Sequence, residues 1–266
     1  ADDVEGNIRI LRNRVNNSFS GISLQPSAGG PVYVLRNIVL NAANTQIKLH
    51  GTGAGHLTSG VLVYHNTTFS PVAALQLFAS QAVHRMVFRN NLFIGPPAAI
   101  GATVMWDAPM HNIDLNHNGY FPDGTNYWNH AGTYRHFANL AALFAGGPSE
   151  ANGRLVSADV FATGINGGAD PNQFVPPQLP RLRPGRNAID AATPMANIND
   201  DAPGAPDLGA LESGCAPPHY GPRPPGNNES NQPSGCAAAN RPPAVEEVTP
   251  VAASGSTRSY LARISD

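Results

Sequence analysis

Charge is scarce in this sequence. Acidic and basic residues fill 13% of its 266 positions, and the formal net charge is −2. No basic stripe is available to track a nucleic-acid backbone, so DNA and RNA are not expected partners. Cysteine is rarer still, with Cys215 and Cys236 alone. Two cysteines exclude a zinc framework of paired Cys motifs and leave one disulfide, a bond that suits an oxidising compartment. The nine histidines show no metal spacing and no HExxH motif. No apolar run approaches the roughly 20 residues of a membrane-spanning helix. The opening residues do not read as a signal peptide. What the chain has in quantity is Gly and Pro, 27 and 25 residues, as a turn-rich β protein would.

It also repeats. Ile8–Asn16, Val32–Leu40, Val61–Phe69, Arg85–Phe93 and Ile113–Phe121 align without internal gaps. Asn13, Asn37, Asn66, Asn90 and Asn118 then share one column, at offsets of 24, 29, 24 and 28 residues. The column before it reads Arg12, Arg36, His65, Arg89, His117, and an apolar column reads Ile10, Val34, Val63, Val87, Leu115. A unit of this size, with β-branched strands and a recurring Asn, marks a solenoid. We therefore expect an all-β, right-handed parallel β-helix with a continuous apolar core. Asn at the turn tolerates the left-handed backbone region. Its stacked amides can bond along the axis as an asparagine ladder. An ordinary β-sandwich gives no reason for Asn to return to one column.

The repeat is already running by Ile8, with no room for a cap over its apolar end. We expect upstream coils, or an oligomer partner, to cover that end.

After each Asn turn comes a second alternating strand: Gly21–Gln25, Gln46–His50 and Ala74–Phe78. Ile22, Leu24, Ile47, Leu49, Leu75 and Leu77 should point inward. The outward positions are then Ser23, Lys48, Gln76 and Gln25, His50, Phe78. Asp3-Val4-Glu5 reads as the same strand one coil earlier, which places Asp3 above Ser23 and Glu5 above Gln25, about 4.8 Å away. This face is the leading candidate site. Lys48 or His50 is the candidate general base, if its pKa is lowered. Asp3 and Glu5 are candidate ligands for a hard cation such as calcium. Ser23, Gln25 and Gln76 would bind substrate. The plainer alternative is a solvated outer face.

The Arg/His column offers a second candidate. A row of cations including Arg36 could grip acidic sugars, since guanidinium forks match carboxylates. Alternatively these side chains lie on the turn and bond to loop carbonyls.

Beyond Phe121 the repeat decays. Phe137, Leu140, Ala141 and Phe144 follow helical spacing, so a short helix is expected over Thr133–Phe144 with Thr133 as N-cap, shielding the solenoid. Residues 155–174 read as irregular. The cluster Asn197–Asp201 could attract calcium, but reads first as a turn. We place the solenoid at residues 1–212. Residues 213–266 read as a tail rich in Pro, Gly and Asn, with a possible Cys215–Cys236 disulfide and a terminal strand or disorder at Ser259–Ile264.

Several motifs carry a resemblance. They are Asp2-Asp3-Val4-Glu5, Arg12-Asn13-Arg14, Gly21-Ile22-Ser23-Leu24-Gln25-Pro26, Arg36-Asn37, Tyr64-His65-Asn66-Thr67, Arg89-Asn90-Asn91-Leu92-Phe93, Asp207-Leu208-Gly209-Ala210-Leu211-Glu212 and Pro218-His219-Tyr220-Gly221-Pro222. Over roughly residues 1–224 the chain resembles the C-terminal part of secreted bacterial right-handed β-helix repeat proteins of the pectate-lyase-like superfamily. The resemblance implies a secreted or cell-surface location and a carbohydrate-active role. That superfamily holds lyases, hydrolases, epimerases and non-catalytic members, so fold alone does not choose among them. One expectation is a polysaccharide lyase on uronate-containing glycans. Lys48 or His50 would remove the proton, while Asp3 and Glu5 hold a cation, or Arg36 acts, to neutralise the carboxylate. Hydrolysis by Asp3 and Glu5 is a variant. The other expectation is a structural or carbohydrate-binding surface scaffold.

Overall fold

The computed structural model describes residues 4–5, 7–24, 27–28, 30–49, 58–78, 83–95, 104–106, 110–124, 126–130, 133–147, 150–165, 173–196, 198, 202, 204–222, 224–226, 236, 244–254 and 257–265. Its body is an all-β parallel solenoid with one short flanking helix. Three columns of strands run along it. The first is a sheet whose parallel members are Ile8–Leu11, Val32–Leu35, Thr58–Tyr64, Val83–Arg89, Met110–Asn116 and Asn126–His130. The second and third are arms of one sheet, which bends within Arg14–Leu24 and Ile38–Leu49. The second column continues through Thr67–Phe69, Leu92–Ile94, Gly119–Phe121 and Arg154–Leu155. The third continues through Leu75–Phe78 and Val104–Trp106.

Alternation places one side chain in two inside. Val32, Val34, Val61, Val63, Met86, Phe88, Ile113 and Leu115 come from the first column and meet Val39, Phe93 and Tyr120 from the second. Phe93 stacks on Tyr120 with ring centroids 5.5 Å apart.

At the corner between these columns, each coil uses a left-handed residue followed by a column asparagine. The left-handed residues are Arg12, Arg36, His65, Asn90 and His117, with φ between 50 and 58°. The expectation that the column asparagine itself would take this conformation is corrected. The asparagines that follow are Asn13, Asn37, Asn66, Asn91 and Asn118. Each of the first four donates twice to Oδ1 of the next, from its backbone N–H and from Nδ2, at 2.8–3.0 Å. The fourth block of the repeat is therefore Met86–Ile94, one residue later than the sequence alignment placed it. Asn91 replaces Asn90 in the column, and Phe88 replaces Val87 in the core. A slip of one residue exchanges the two faces of a strand.

Glu150 ends the column. Its Oε1 accepts from Asn118 N–H, and its Oε2 accepts from Asn118 Nδ2 and the Tyr120 hydroxyl, at 3.0, 3.0 and 2.8 Å. Complete burial pushes its pKa from 4.5 up to about 7, against the three hydrogen bonds that favour the carboxylate.

The same end of the solenoid is covered by a hairpin and the helix. Asn126–His130 pairs antiparallel with Thr133–Phe137, so the residues expected to open a helix form a strand instead. The helix is Leu140–Gly146, and Asn139 rather than Thr133 is its N-cap, accepting from Ala142 N–H at 2.8 Å. Leu140, Leu143 and Phe144 complete the inner core, so the helix does shield the solenoid.

The second column is covered on its outer side too. Leu92 and Ile94 pack with Val156, Val160, Leu182, Ala188 and Leu208, while Ile38 and Leu40 pack with Ala210 and Leu211. Strands such as Ile38-Val39-Leu40 and Leu92-Phe93-Ile94 are apolar without alternation because both faces are buried. Residues 155–174 are expected from sequence to be irregular; described residues from Val156 to Leu211 form the cover of this column. Gly209 fits its docking point because it has φ +91°, and a Cβ there would collide with Thr67 Oγ1. Further on, Cys215 and Cys236 form a disulfide, and Ala244–Ser254 pairs antiparallel with Thr257–Ser265.

Two predictions follow from the column. Asn66→Ala leaves the two Asn37 donors without the Asn66 Oδ1 acceptor and takes the Nδ2 donor from the Val34 carbonyl and from Asn91 Oδ1, which keeps only the backbone N–H of residue 66. At about 1–3 kcal/mol for each unsatisfied buried group, urea denaturation should show a loss of at least about 3 kcal/mol; a loss under 1 would be inconsistent with the geometry. The second concerns pH. Unfolded Glu150 ionises near 4.5, whereas the folded side chain keeps its proton until about 7. The folded state binds more protons between these values, so its stabilising share is complete below 4.5 and is lost as pH rises to 7. Melting curves over this window should show a downward slope for the parent that is flatter in Glu150→Gln.

Candidate functional site

Ile22 and Leu24 from one coil and Ile47 from the next are buried in the solenoid core. Ser23 and Lys48, set between or beside them, therefore face away from it. The two are direct register partners on adjacent parallel strands. In the following coil Ile47 pairs with Leu77 and Lys48 with Phe78. The row thus reads Ser23, Lys48, Phe78. Gln76, expected beside Lys48, lies two residues off, next to Met105.

The displacement has a local cause. Asn16, Leu40 and Phe69 are equivalent positions, and Ile22, Ile47 and Leu77 are equivalent positions. The corner between them takes six, seven and eight steps in the three successive coils. Each coil inserts one more residue at this corner, so alignment by constant spacing drifts.

The acidic strand is also offset. Val4–Glu5 does pair in parallel with the coil that follows, but its partners are Ser27 and Ala28. Glu5 is therefore beside Ala28 and not beside Gln25. Asp3, Gln25 and His50 lie outside the described residues, as do Asn197 and 199–201 of the second cluster considered for calcium. Among the described residues no group of three or more His, Cys, Asp or Glu side chains is placed to hold a metal ion.

The Arg/His column is a seam between the solenoid and its C-terminal cover. Arg36 is 6% exposed. Its guanidinium donates to Glu212 Oε1 and to the Ile198 carbonyl, each at 3.3 Å. His65 is fully buried with Nδ1 3.3 Å from the Gly209 carbonyl and Nε2 3.0 Å from Asn90 Nδ2. A carbonyl on one side and an amide donor on the other suit the neutral Nδ1–H tautomer. Asn90 exchanges hydrogen bonds with the Thr193 backbone at 2.8 and 2.9 Å. His117 has its pKa lowered, first by burial and then by Arg89 and Arg154. Arg89, expected in this column, sits one residue before it and pairs with Asp114. These side chains hold loop carbonyls, as the plainer reading of the column describes.

Two acids complete the seam. Glu212 Oε2 accepts from Asp207 N–H at 2.9 Å, and Asp207 Oδ1 accepts from Asp190 N–H at 2.8 Å. Asp207-Leu208-Gly209-Ala210-Leu211-Glu212 stood out as a motif in the sequence, and so did Arg36-Asn37, but the pairing of Glu212 with Arg36, 176 residues away, did not. A cavity of about 310 Å³ lies near this seam, lined by Leu182, Ile189, Leu211, Ser213 and Cys215 among others. It contains neither Ser23 nor Lys48.

No family model, curated protein or solved structure matches this chain closely enough to place it in a family. The parallel solenoid is consistent with the pectate-lyase-like superfamily and with carbohydrate-active β-helix proteins in general.

Because Arg36 and Glu212 are both buried, removing one partner strands a charge. Arg36→Met should cost about 3–5 kcal/mol in urea denaturation. Adding Glu212→Met should recover much of that loss. Equal stability of the parent and the single variant would mean that the pair does not anchor the cover.

Proposed function

We propose that this chain is a carbohydrate-binding β-solenoid that takes uronate-containing polysaccharide along the outer side of its third strand column. The observation that carries this reading is the outward register of Ser23 and Lys48 on adjacent parallel strands. A hydroxyl and an ammonium stand one strand spacing apart, about 4.8 Å, on a backbone fixed by pairing on both sides of Lys48. Lys48 supplies the positive charge for a sugar carboxylate, and Ser23 donates to or accepts from a ring hydroxyl. Phe78 occupies the next place in the row. An extended polymer crossing the coils would meet Ser23 and Lys48 in turn. Arg36 is left out of this site because its guanidinium is engaged by Glu212 and Ile198. The disulfide of Cys215 with Cys236 favours an extracytoplasmic location, secreted or at the cell surface.

Lyase chemistry at the same face is the second reading, and the adjacency of Ser23 and Lys48 favours it over hydrolysis. Neutral Lys48 or His50 would take the proton α to the uronate carboxylate. The bond to the β oxygen would break and leave an unsaturated sugar, with the leaving oxygen collecting a proton. Hydrolysis would need two flanking carboxyls, and Glu5 is in register with Ala28 rather than with this row.

Calorimetric titration with polygalacturonate and alginate tests the proposal, with absorbance of unsaturated product followed in parallel. Lys48→Ala should weaken polyuronate binding at least about tenfold, the scale of 1.4 kcal/mol, and leave the melting temperature unchanged. Binding should also weaken with added salt. Unchanged affinity in Lys48→Ala would remove this face as the site. Product absorbance that disappears in Lys48→Ala would convert the binding reading to the lyase reading.

A further inference from the structure

The cavity in the C-terminal cover has a chemistry of its own. Its volume is about 310 Å³, at the small end of the roughly 300–1,000 Å³ of ligand sites. The residues that line it divide by depth. Leu182 and Leu211 are buried and Ile189 is partly buried, so the floor is apolar. Ala162, Pro184 and Ala216 are exposed and belong to the rim.

The lining is held by bonds on either side of it in the chain. Leu182 forms an antiparallel bridge with Phe161. Ala162 N–H donates to the Arg181 carbonyl, and Arg183 N–H donates to the Val160 carbonyl, each at 2.8 Å. Ser213 N–H donates to Asp207, and Cys215 is joined to Cys236. A ligand therefore meets a formed cavity and gives up little free energy to order it.

Charge narrows what it takes. Among the described residues, the charged side chains that line the cavity are Arg181 and Glu212. Glu212 is already engaged, with Oε1 3.3 Å from the Arg36 guanidinium and Oε2 accepting from Asp207 N–H at 2.9 Å. Arg181 is exposed, and its Nη1 lies 3.5 Å from the Cys215 carbonyl, which brings the guanidinium over the lining. Its remaining N–H groups donate to no described residue. An uncommitted guanidinium fork matches a carboxylate, while the floor favours an apolar body without further charge.

We propose that this cavity is a binding site for a small aromatic monocarboxylate, its ring on Leu182, Ile189 and Leu211 and its carboxylate on Arg181. The site is independent of the Ser23 and Lys48 face, since neither residue lines it.

Benzoate is the probe, titrated into the full chain while methyl resonances are followed by NMR. The methyl groups of Leu182, Ile189 and Leu211 should shift saturably at millimolar benzoate. Acetate lacks the ring and benzyl alcohol lacks the charge, so each should bind at least about tenfold more weakly. Arg181→Gln should also weaken benzoate at least about tenfold, the scale of one charged contact. The melting temperature and polygalacturonate binding of this variant should match the parent. No saturable shift at these three residues overturns the proposal. Benzyl alcohol that binds as tightly as benzoate overturns it, and so does unchanged benzoate affinity in Arg181→Gln. Loss of polygalacturonate binding in the same variant would merge the two sites and overturn their independence.

Discussion

Each asparagine from Asn37 to Asn118 in the column uses its whole side-chain hydrogen-bonding capacity inside the protein. Oδ1 accepts two bonds, and Nδ2 donates to a backbone carbonyl of the coil before and to the next carboxamide or carboxylate, with Asn66 Nδ2 reaching the Tyr64 carbonyl as well. Buried amides are costly unless satisfied in this way. The requirement fixes much else. It sets the stacking register of the coils, places a left-handed residue immediately before each asparagine, and calls for an acceptor at the end of the row. Glu150 meets that last need and ties the column to Tyr120, a large side chain in the core.

Around this axis the solenoid is asymmetric. All three columns enclose the inner core, while the second is also buried on its outside by residues that follow Glu150 in the chain. The left-handed corner forms the seam between the two layers. Arg36, His65 and Asn90 therefore act as structural ties to Ile198, Gly209, Glu212 and Thr193. The third column is where Ser23 and Lys48 face outward. Function on this molecule is best sought there, on a surface whose backbone is held by neighbouring coils.

Much of this was legible in the sequence, since parallel coils repeat both the buried column and the apolar alternation. The failures have specific causes. Asn90 and Asn91 are adjacent, and choosing Asn90 kept Arg89 and Val87 in neat columns. The better guide was the apolar triplet after the asparagine, because Asn91 brings Phe93 onto Tyr120. Gln76 was assigned to the Lys48 row by constant spacing, but the corner lengthens through successive coils and brings Phe78 there. Helical spacing at Phe137, Leu140, Ala141 and Phe144 was real, yet a hairpin takes Thr133–Phe137 and Asn139 starts the helix. The seam was hidden for a different reason. Arg36 and Glu212 are distant in sequence, and no periodicity connects them.

Hydrogen exchange at the asparagine side chains tests the central claim most directly. If the saturated column holds the coils together, the Nδ2 protons and backbone amides of Asn37, Asn66 and Asn91 should exchange only through global unfolding, with the same dependence on urea as the slowest core amides. Exchange of these protons through local opening, well ahead of the Val63 and Phe88 amides, would contradict the account.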